Sequence, residues 1–230
     1  MLNNEHLQSV RQSQIFQGVS EKMLACAVRR AHIKHFDAGM MVTQQGDPAV
    51  AFHLLTQGYV KLVQVTPEGQ EIVTRFVGPG QEFGVIAVLS GYTYPLSAQA
   101  LESCQALVWA GEVLAQLMED ESVIAFNALR VMVTRNQQTQ RRYQELLTEN
   151  VAQRLAHALL ALLARAGRRS DSGILIDIPF SEEDLAELTG TTVYSVSRIL
   201  NQWQRNGWVE IGRKRVQVLD PPAIESVAAA

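Results

Sequence analysis

The spacing of hydrophobic residues changes twice along the chain. Residues 2–35 have apolar positions such as Ile15 and Phe16 at the spacing of short helices. From Phe36 onward apolar and polar residues alternate in short runs, and glycines interrupt them about every ten residues, which predicts an all-β barrel or sandwich. The predicted strands are Met40–Thr43, Phe52–Leu55, Tyr59–Val65, Glu71–Val77 and Ala98–Trp109.

Helical spacing returns after Ala110 and continues without proline or glycine from about Val113 to Leu163. Breaks are expected near Asp120 and at residues 148–150. Between the breaks, residues three and four apart form a seam that suits two helices lying side by side. We expect this seam to form a homodimer interface, and the alternative is that the long helix packs only on its own barrel. The seam residues are Ala125, Leu129, Met132, Asn136, Thr139 and Tyr143.

Two short helices with a tight turn are predicted in residues 180–207. Ser181 and Asp184 have the spacing of a capping box, and Gly190 supplies a turn residue that can adopt a positive φ. In the second helix four apolar residues recur at helical spacing and would face the protein core: Val196, Ile199, Leu200 and Trp203. Such a pair matches a helix-turn-helix, whose second helix enters the DNA major groove, although an ordinary helical hairpin has the same pattern.

The flanking segments favour the DNA-binding interpretation. A helix is expected from residue 150 to Gly167, then a polar loop at residues 168–173 and a strand at Ile174–Ile178. After Gly207, alternating residues predict strands at Trp208–Ile211 and Val216–Leu219, joined by a basic turn. A helix-turn-helix followed by this hairpin is a winged domain, although the basic turn could also be merely solvated.

Composition adds little to this picture. The net charge is −3, but residues 190–220 contain five basic and two acidic side chains, a modest basic patch. Cys26 and Cys104 lie far apart and lack the spacing of a zinc or iron–sulfur site. The sequence has no apolar run of membrane-spanning length and its N-terminus does not resemble a signal peptide, so we expect a cytoplasmic protein without a membrane partner. Neither a catalytic triad nor a phosphate-binding glycine loop is evident, so we do not expect an enzyme.

The order of these parts resembles the Crp/Fnr superfamily of transcription regulators. The resemblance covers about Leu7–Leu219 and rests on the phrases IFQGVSEKML, VGPGQEFGVIAVLSG, VAQRLAHALL and TTVYSVSRIL, together with residues 36–71. It implies an α+β protein with a β-roll effector domain at 1–119, a dimerisation helix at 120–148 and a winged helix-turn-helix domain at 149–230. It also implies a homodimer that binds a palindromic operator in double-stranded DNA, works with RNA polymerase and responds to a small effector.

The expected effector pocket departs from the nucleotide-binding members of this family. Those members hold the ribose with a Gly-Glu pair and the cyclic phosphate with an Arg-Ser pair. The matching positions here are Gly84-Val85 and Leu96-Ser97, with Ile86 beside them, so the carboxylate and the guanidinium are both missing. A buried cyclic phosphate would have no charge partner, so we expect an effector other than cyclic AMP or cyclic GMP.

The nature of the effector stays open at this point. The protein could be a haem or nitric-oxide sensor, could bind a small apolar or aromatic effector, or could have no ligand. Neutral imidazole suits iron, and the chain contains five histidines that could bind haem, although a lone histidine is more often structural. They are His6, His32, His35, His53 and His157.

The resemblance also suggests which residues contact DNA. Arg198 matches the base-reading arginine of the family, whereas Tyr194 stands where many relatives carry a glutamate, so the half-site sequence cannot be copied from them. The basic turn would contact phosphates. The full expected set is Thr192, Val193, Tyr194, Ser195, Ser197, Arg198, Gln202, Arg213, Lys214 and Arg215. The alternative is a ligand-binding or scaffold protein of the same fold that has lost specific DNA binding.

Overall fold

A computed structural model describes residues 4–170 and 172–230 of the chain. The chain divides into two compact units. The first contains the chain up to Gln70 together with Thr74–Thr139, and the second contains Glu71–Val73 and Gln140–Ala230. The main boundary between the units therefore lies inside a single long helix, Val123–Thr148.

Two antiparallel four-stranded sheets are formed by the described residues between His32 and Ala110, as the expected β-roll requires. Their strands are β1 (His32–Phe36), β2 (Met41–Thr43), β3 (Ala51–Gln57), β4 (Val60–Val65), β5 (Glu71–Val77), β6 (Glu82–Phe83), β7 (Ser97–Ala100) and β8 (Cys104–Ala110). The strand order is β1-β8-β3-β6 in one sheet and β2-β7-β4-β5 in the other. We call these two sheets the roll.

Helices precede, interrupt and follow the roll. They are α1 (Asn4–Gln12), a 3-10 turn at Gln14–Phe16, α2 (Glu21–Arg29), α3 (Val85–Ser90) and α4 (Gly111–Asp120). Ser20 caps α2, and its hydroxyl accepts a hydrogen bond from the Met23 amide at 3.4 Å. Together with the roll these helices form an α+β unit.

Two apolar clusters hold the first unit together. One packs helical residues such as Ile15 and Leu114 on Phe52 and Trp109. The indole of Trp109 stacks on Phe52 with ring centroids 4.8 Å apart, and its Nε1 donates to the Ala27 carbonyl at 2.8 Å. The other cluster lies on the opposite face of the β3 sheet and contains Phe36, Leu55, Val60, Leu62, Val77, Phe83, Ala98, Ala100, Cys104, Ala106 and Val108. The alternation of strand side chains thus gives the roll two apolar surfaces.

The helical stretch after the roll is interrupted at the two places where the sequence predicted breaks. α5 spans Val123–Thr148 and α6 spans Val151–Ala166, so the expected breaks near Asp120 and at residues 148–150 are confirmed. Asn150 caps α6 because its side chain accepts from the amide of Gln153, while the Gln153 side chain accepts from the Asn150 amide.

The second unit has the elements of a winged domain. After α6 come β9 (Gly167–Ser170), β10 (Gly173–Ile176), α7 (Glu182–Thr189), α8 (Val193–Arg205), β11 (Val209–Gly212), β12 (Arg215–Val218) and α9 (Pro221–Ala228). Its four strands form one antiparallel sheet in the order β11-β12-β10-β9. The predicted helix-turn-helix and hairpin are therefore confirmed, within two residues at each end.

Three local predictions are wrong. The segment His32–Phe36 is a strand rather than helix, because backbone pairing with β8 holds it while four of its five side chains remain exposed. The predicted strand Ala98–Trp109 is two strands, separated at residues 101–103 where Gly58 approaches with φ +76. A Cβ on Gly58 would lie 2.6 Å from the Ser103 carbonyl oxygen, so a side chain cannot replace it there.

The third error concerns the polar loop predicted at residues 168–173. Residues 167–170 instead form β9, which pairs with β10 as a hairpin. The side-chain Nε2 of Gln217 in β12 donates to the Ser170 hydroxyl at 2.9 Å, a contact that polarity alone does not indicate. The sequence analysis also missed helices α3 and α9.

Candidate DNA-binding interface and effector roll

The capping box predicted at the start of the helix-turn-helix is present. The Asp184 amide donates to Ser181 Oγ at 3.1 Å, and the Ser181 amide donates to Asp184 Oδ2 at 2.8 Å. Both amides would otherwise be unpaired at the helix start. Leu185, Ala186 and Leu188 are buried, so α7 is held on one face by packing and at its first turn by the box.

The turn between α7 and α8 is fixed by a residue that sequence reasoning missed. Gly190 ends α7 with φ +62, a left-handed conformation that favours glycine. Arg154 of α6 donates from Nε to the Thr189 carbonyl at 2.9 Å and from Nη1 to the Glu149 carbonyl at 2.7 Å. Its guanidinium therefore ties the turn to the start of α6. No spacing pattern in the sequence distinguishes this arginine from a solvated one.

α8 has one buried and one exposed face. Val196, Ile199, Leu200 and Trp203 are each at most 4% exposed, as predicted. On the other side Tyr194 is 78% exposed and Val193 is 43% exposed. The side chains of Arg198 and Gln202 are exposed as well. Four of the expected contact residues of α8 therefore lie on its exposed face, whereas Ser195 and Ser197 are half-buried.

The small polar residues of this face are partly engaged within the helix. Thr192 is the N-cap, and its Oγ1 accepts from the Ser195 amide at 3.2 Å and lies 3.0 Å from the Ser195 hydroxyl. The carbonyl of Ser197 accepts from Asn201 Nδ2 at 2.8 Å. Thr192 and Ser195 thus have a structural role at the helix start, whereas Tyr194 and Arg198 have no such role in what is described of the chain.

The basic turn between β11 and β12 is exposed as expected. Arg213 and Lys214 form the tip, and Arg215 begins β12 with its side chain also exposed. Lys214 adopts φ +54, which is uncommon for a residue with a side chain. Three adjacent cations project from one hairpin, a geometry that suits contacts with phosphates.

α5 packs on its own unit through one face and exposes another. Ile124, Ala128 and Val131 are buried in the first unit, so part of the alternative prediction holds. The buried amide of Asn127 donates to the carbonyls of Ile15 at 3.2 Å and Gln17 at 2.7 Å. This polar anchor was also missed by sequence reasoning.

The opposite face of α5 carries large apolar side chains in solvent. In the first unit Phe126, Leu129, Met132 and Val133 are 44–63% exposed, and Asn136 and Thr139 are also exposed. In the second unit Tyr143 is 66% exposed. Ala125 is half-buried. Most residues of the predicted seam are therefore exposed to solvent. Phe126 and Val133 extend the exposed face at positions that were not predicted.

The residues expected around the effector do not share one surface. Gly84 is the N-cap of α3, and Val85 is buried in the cluster that contains Phe52 and Trp109. Ile86 is 39% exposed. Leu96 packs against the other cluster. Ser97 is buried, and its Oγ accepts from the Gln45 amide at 3.0 Å. Val85 and Leu96, which stand where nucleotide-binding members carry a carboxylate and a guanidinium, thus pack in different apolar clusters.

Comparison with known families and structures accounts for both units. The model of the cyclic nucleotide-binding domain matches residues 33–121, and the model of the Crp-like helix-turn-helix domain matches residues 153–227. These are the roll with α4 and the winged domain, in the order expected. The chain belongs to the Crp/Fnr superfamily.

Crp/Fnr relatives cover most of the chain. This chain is 29% identical to the cyclic AMP receptor protein of Thermus thermophilus, and the alignment covers 94% of this chain and 97% of the relative. It is also 29% identical to the global nitrogen regulator of Synechococcus elongatus over 84% of this chain and 87% of that one. A solved CRP-family transcriptional regulator of Thermus thermophilus superposes with a TM-score of 0.71 at 27% identity, over 86% of this chain and 97% of that structure. These relatives are transcription regulators rather than enzymes.

The five histidines of this Crp/Fnr chain have very different surroundings. His32 and His35 are exposed on β1, and His6 Nε2 lies 3.2 Å from Gln105 Oε1. His157 lies beside Glu149, with 3.4 Å between Nε2 and Oε1. His53 is 4% exposed in the roll, and within the described residues its Nδ1 has no hydrogen-bond partner.

The two cysteines are free, and both were expected to be buried apolar residues; Cys104 is buried, whereas Cys26 is only half-buried. The Sγ of Cys104 lies 3.2 Å from the carbonyl oxygens of both Tyr59 and Glu102, either of which can accept from the single S–H. Burial raises the pKa of this thiol, so it stays protonated. Along the described ranges, helices of membrane-spanning length and hydropathy are absent.

Proposed function

We propose that the protein is a homodimeric, sequence-specific DNA-binding transcription regulator of the Crp/Fnr type, controlled by an effector other than cyclic AMP. The observation that carries this proposal is the open face of α8, where Tyr194 and Arg198 project from a helix that four buried residues fix in the winged domain. A merely structural hairpin would not need an exposed tyrosine next to an exposed arginine.

α8 would be the recognition helix. Arg198 presents a planar guanidinium that can donate two hydrogen bonds to the major-groove edge of guanine, a contact worth about 1–3 kcal/mol of discrimination. Tyr194 cannot accept from cytosine as a glutamate does, but its ring can pack on a thymine methyl group. The hairpin cations Arg213, Lys214 and Arg215 would contact phosphates and supply affinity that is independent of sequence.

Dimerisation would proceed through the exposed face of α5. Large apolar side chains that remain in solvent mark interaction surfaces. Phe126, Leu129, Val133 and Asn136 follow each other at the three- and four-residue spacing of a two-helix seam, and a second copy of the same helix is a self-complementary occupant. A two-fold dimer would read two half-sites about one helical turn of DNA apart.

The absence of a carboxylate at Val85 and of a guanidinium at Leu96 supports an effector that is not a cyclic nucleotide. The relatives differ in the regulators they are named for, a cyclic AMP receptor in one case and a nitrogen regulator in another. The second cluster of the roll is apolar with several small side chains, Ala98, Ala100 and Ala106 among them, which favours an apolar ligand. RNA polymerase would be the partner at the promoter.

Haem remains a second candidate for the effector because of His53. Burial, and then the positive charge of Lys34, lower the pKa of this imidazole to about 4, so it is neutral at physiological pH. A neutral imidazole with an unpaired nitrogen has the chemistry of an iron ligand. Phe83 stacks on the face of its ring and helps to fix its orientation.

Selection from random duplex DNA tests the proposed function. Several rounds of binding and amplification with the purified chain should enrich a palindrome whose half-sites contain a guanine and lie about 10 base pairs apart. The same selection with Arg198→Ala should enrich no palindrome, whereas Arg29→Ala, which removes an exposed arginine of α2, should enrich the wild-type sequence. Failure of the wild-type chain to enrich any sequence would favour the alternative, a protein of this fold without specific DNA binding.

A further inference from the structure

A mixed cluster of two carboxylates and one imidazole lies at the junction of α5 and α6. Glu145 is in the last turn of α5, Glu149 follows that helix, and His157 is in α6. One ligand atom from each residue lies within 4.8 Å of the other two. All three residues belong to the second unit. None is among the residues expected to contact DNA, and His157 is one of the five histidines considered above as haem ligands.

The local backbone explains why these three side chains meet. The Glu149 amide donates to the Glu145 carbonyl at 3.0 Å, so the helical path continues to Glu149 and places the two carboxylates four residues apart on one face. The chain then turns at the Asn150 cap into α6, where His157 lies two turns further on and faces back toward Glu149. The arrangement is set by the helix end and by the cap.

The hydrogen bonds within this cluster are incomplete. Glu149 Oε1 lies 3.4 Å from His157 Nε2, which is long for a hydrogen bond. Glu149 Oε2 is buried, and throughout residues 4–170 and 172–230 it meets no hydrogen-bond partner. A buried carboxylate oxygen without a partner costs free energy that a bound cation would recover.

Neighbouring arginines decide which kind of cation fits. Arg141 Nε donates to Glu145 Oε1 at 2.9 Å, so one oxygen of that carboxylate is already paired. Burial lowers the pKa of Arg142, while Glu145 opposes this shift and Arg154 adds to it, so further positive charge lies close by. A cation held by charge alone, such as Mg²⁺, would gain little here. A cation that forms coordination bonds with nitrogen and oxygen together would gain more.

We propose that Glu145, Glu149 and His157 bind one divalent transition-metal ion, of which Zn²⁺ is the type, and that the ion restrains the turn from α5 into α6. Zn²⁺ accepts imidazole nitrogen and carboxylate oxygen in one site, and water can complete the coordination. The three donors come from two helices and the linker between them, so a bound ion stabilises the folded junction and adds to the stability of the second unit.

Titration of the metal-free full-length chain with Zn²⁺ tests this proposal by isothermal calorimetry. We expect one saturable site per chain, and binding at least tenfold weaker in both His157→Gln and Glu149→Gln, because each variant removes one donor while keeping a similar volume. His32→Gln and Glu183→Gln replace exposed residues of the same types elsewhere and should bind as the wild type does. Co²⁺ should give a visible ligand-field spectrum in the wild type that both donor variants lose.

The result that would overturn the proposal is the lack of a saturable site in the wild type, or undiminished binding in either donor variant. Thermal melting of each variant without metal separates loss of binding from loss of folding. No DNA enters the experiment, so its outcome is independent of the proposed regulatory function.

Discussion

The imidazole of His53 stacks on the ring of Phe83, with centroids 4.8 Å apart and planes 7° from parallel. This buried pair lies in the roll, and burial together with the charge of Lys34 lowers the pKa of His53 from its ordinary value of 6.5 to about 4. The folded chain therefore disfavours the imidazolium that the unfolded chain forms readily below pH 6.5.

Stability should consequently fall in acid. Between pH 6.5 and about 4 the unfolded state binds more protons than the folded state, so the contribution of His53 is fully present above pH 6.5 and is lost as the pH falls. A shift of this size corresponds to about 3 kcal/mol over that range. Urea unfolding at pH 7.5 and pH 5 measures the part of this effect that falls between those pH values, about 2 kcal/mol. His53→Leu should flatten the pH dependence relative to wild type, while His32→Gln should leave it unchanged, and equal slopes in all three proteins would refute this assignment.

Asn127 should be worth more to stability than its position in a surface helix suggests. Its buried side chain donates to the carbonyls of Ile15 and Gln17, of which the first is buried and the second is partly buried. Asn127→Leu leaves both without this donor, so we expect a loss of about 1–3 kcal/mol in the free energy of unfolding. Chemical denaturation measures the loss. Gln137→Leu, a similar change at an exposed position of α5, should cost less than about 0.5 kcal/mol.

The seam of α5 should determine the oligomeric state. Val133→Asp places a charge in the exposed apolar face that we assign to the dimer, and burial of an unpaired charge is costly. Sedimentation equilibrium should find a dimer for the wild type and a monomer for Val133→Asp. Leu89→Asp changes an equally exposed apolar residue of α3 and should stay dimeric. A dimer that persists in Val133→Asp would place the interface elsewhere.

Cyclic AMP should not bind the roll. The groups that would pair with the ribose and the cyclic phosphate are replaced by Val85 and Leu96, and burying the phosphate without a charge partner is unfavourable. Calorimetry with cyclic AMP should detect no heat of binding up to millimolar concentration, with the Thermus thermophilus cyclic AMP receptor protein as a control for the assay. Saturable binding in the micromolar range would show that other groups replace the missing pair.

Much of this architecture can be predicted from the sequence because it depends on local periodicity. The core face of α8, the cap at Ser181 and the breaks on both sides of α5 follow from residues that lie close together in the chain. β1 could not be predicted in the same way, since only its pairing with β8 defines it. The roles of Arg154 and Asn127 depend on carbonyls far away in sequence, which no local pattern reveals.

The candidate site was predictable to a similar degree. The exposed residues of α8 and the basic hairpin follow from helical and strand periodicity. The separation of Val85 from Leu96 does not, because it depends on how α3 packs against the sheets. Similarly, the sequence does not determine which residues of α5 lie at the centre of the exposed face. The burial of Ile124 and Val131 identifies Phe126 and Val133 as part of that face.

The most direct test of the central claim measures DNA affinity by fluorescence anisotropy on the selected palindrome. Wild type and Arg29→Ala should bind equally, and each should lose about 1–3 kcal/mol when the half-site guanine is replaced by adenine. Arg198→Ala should bind the original palindrome more weakly by up to about twice this amount, because both protomers lose the contact, and should no longer distinguish the two duplexes. If Arg198→Ala binds and discriminates as the wild type does, α8 does not read the operator and the proposed function is contradicted.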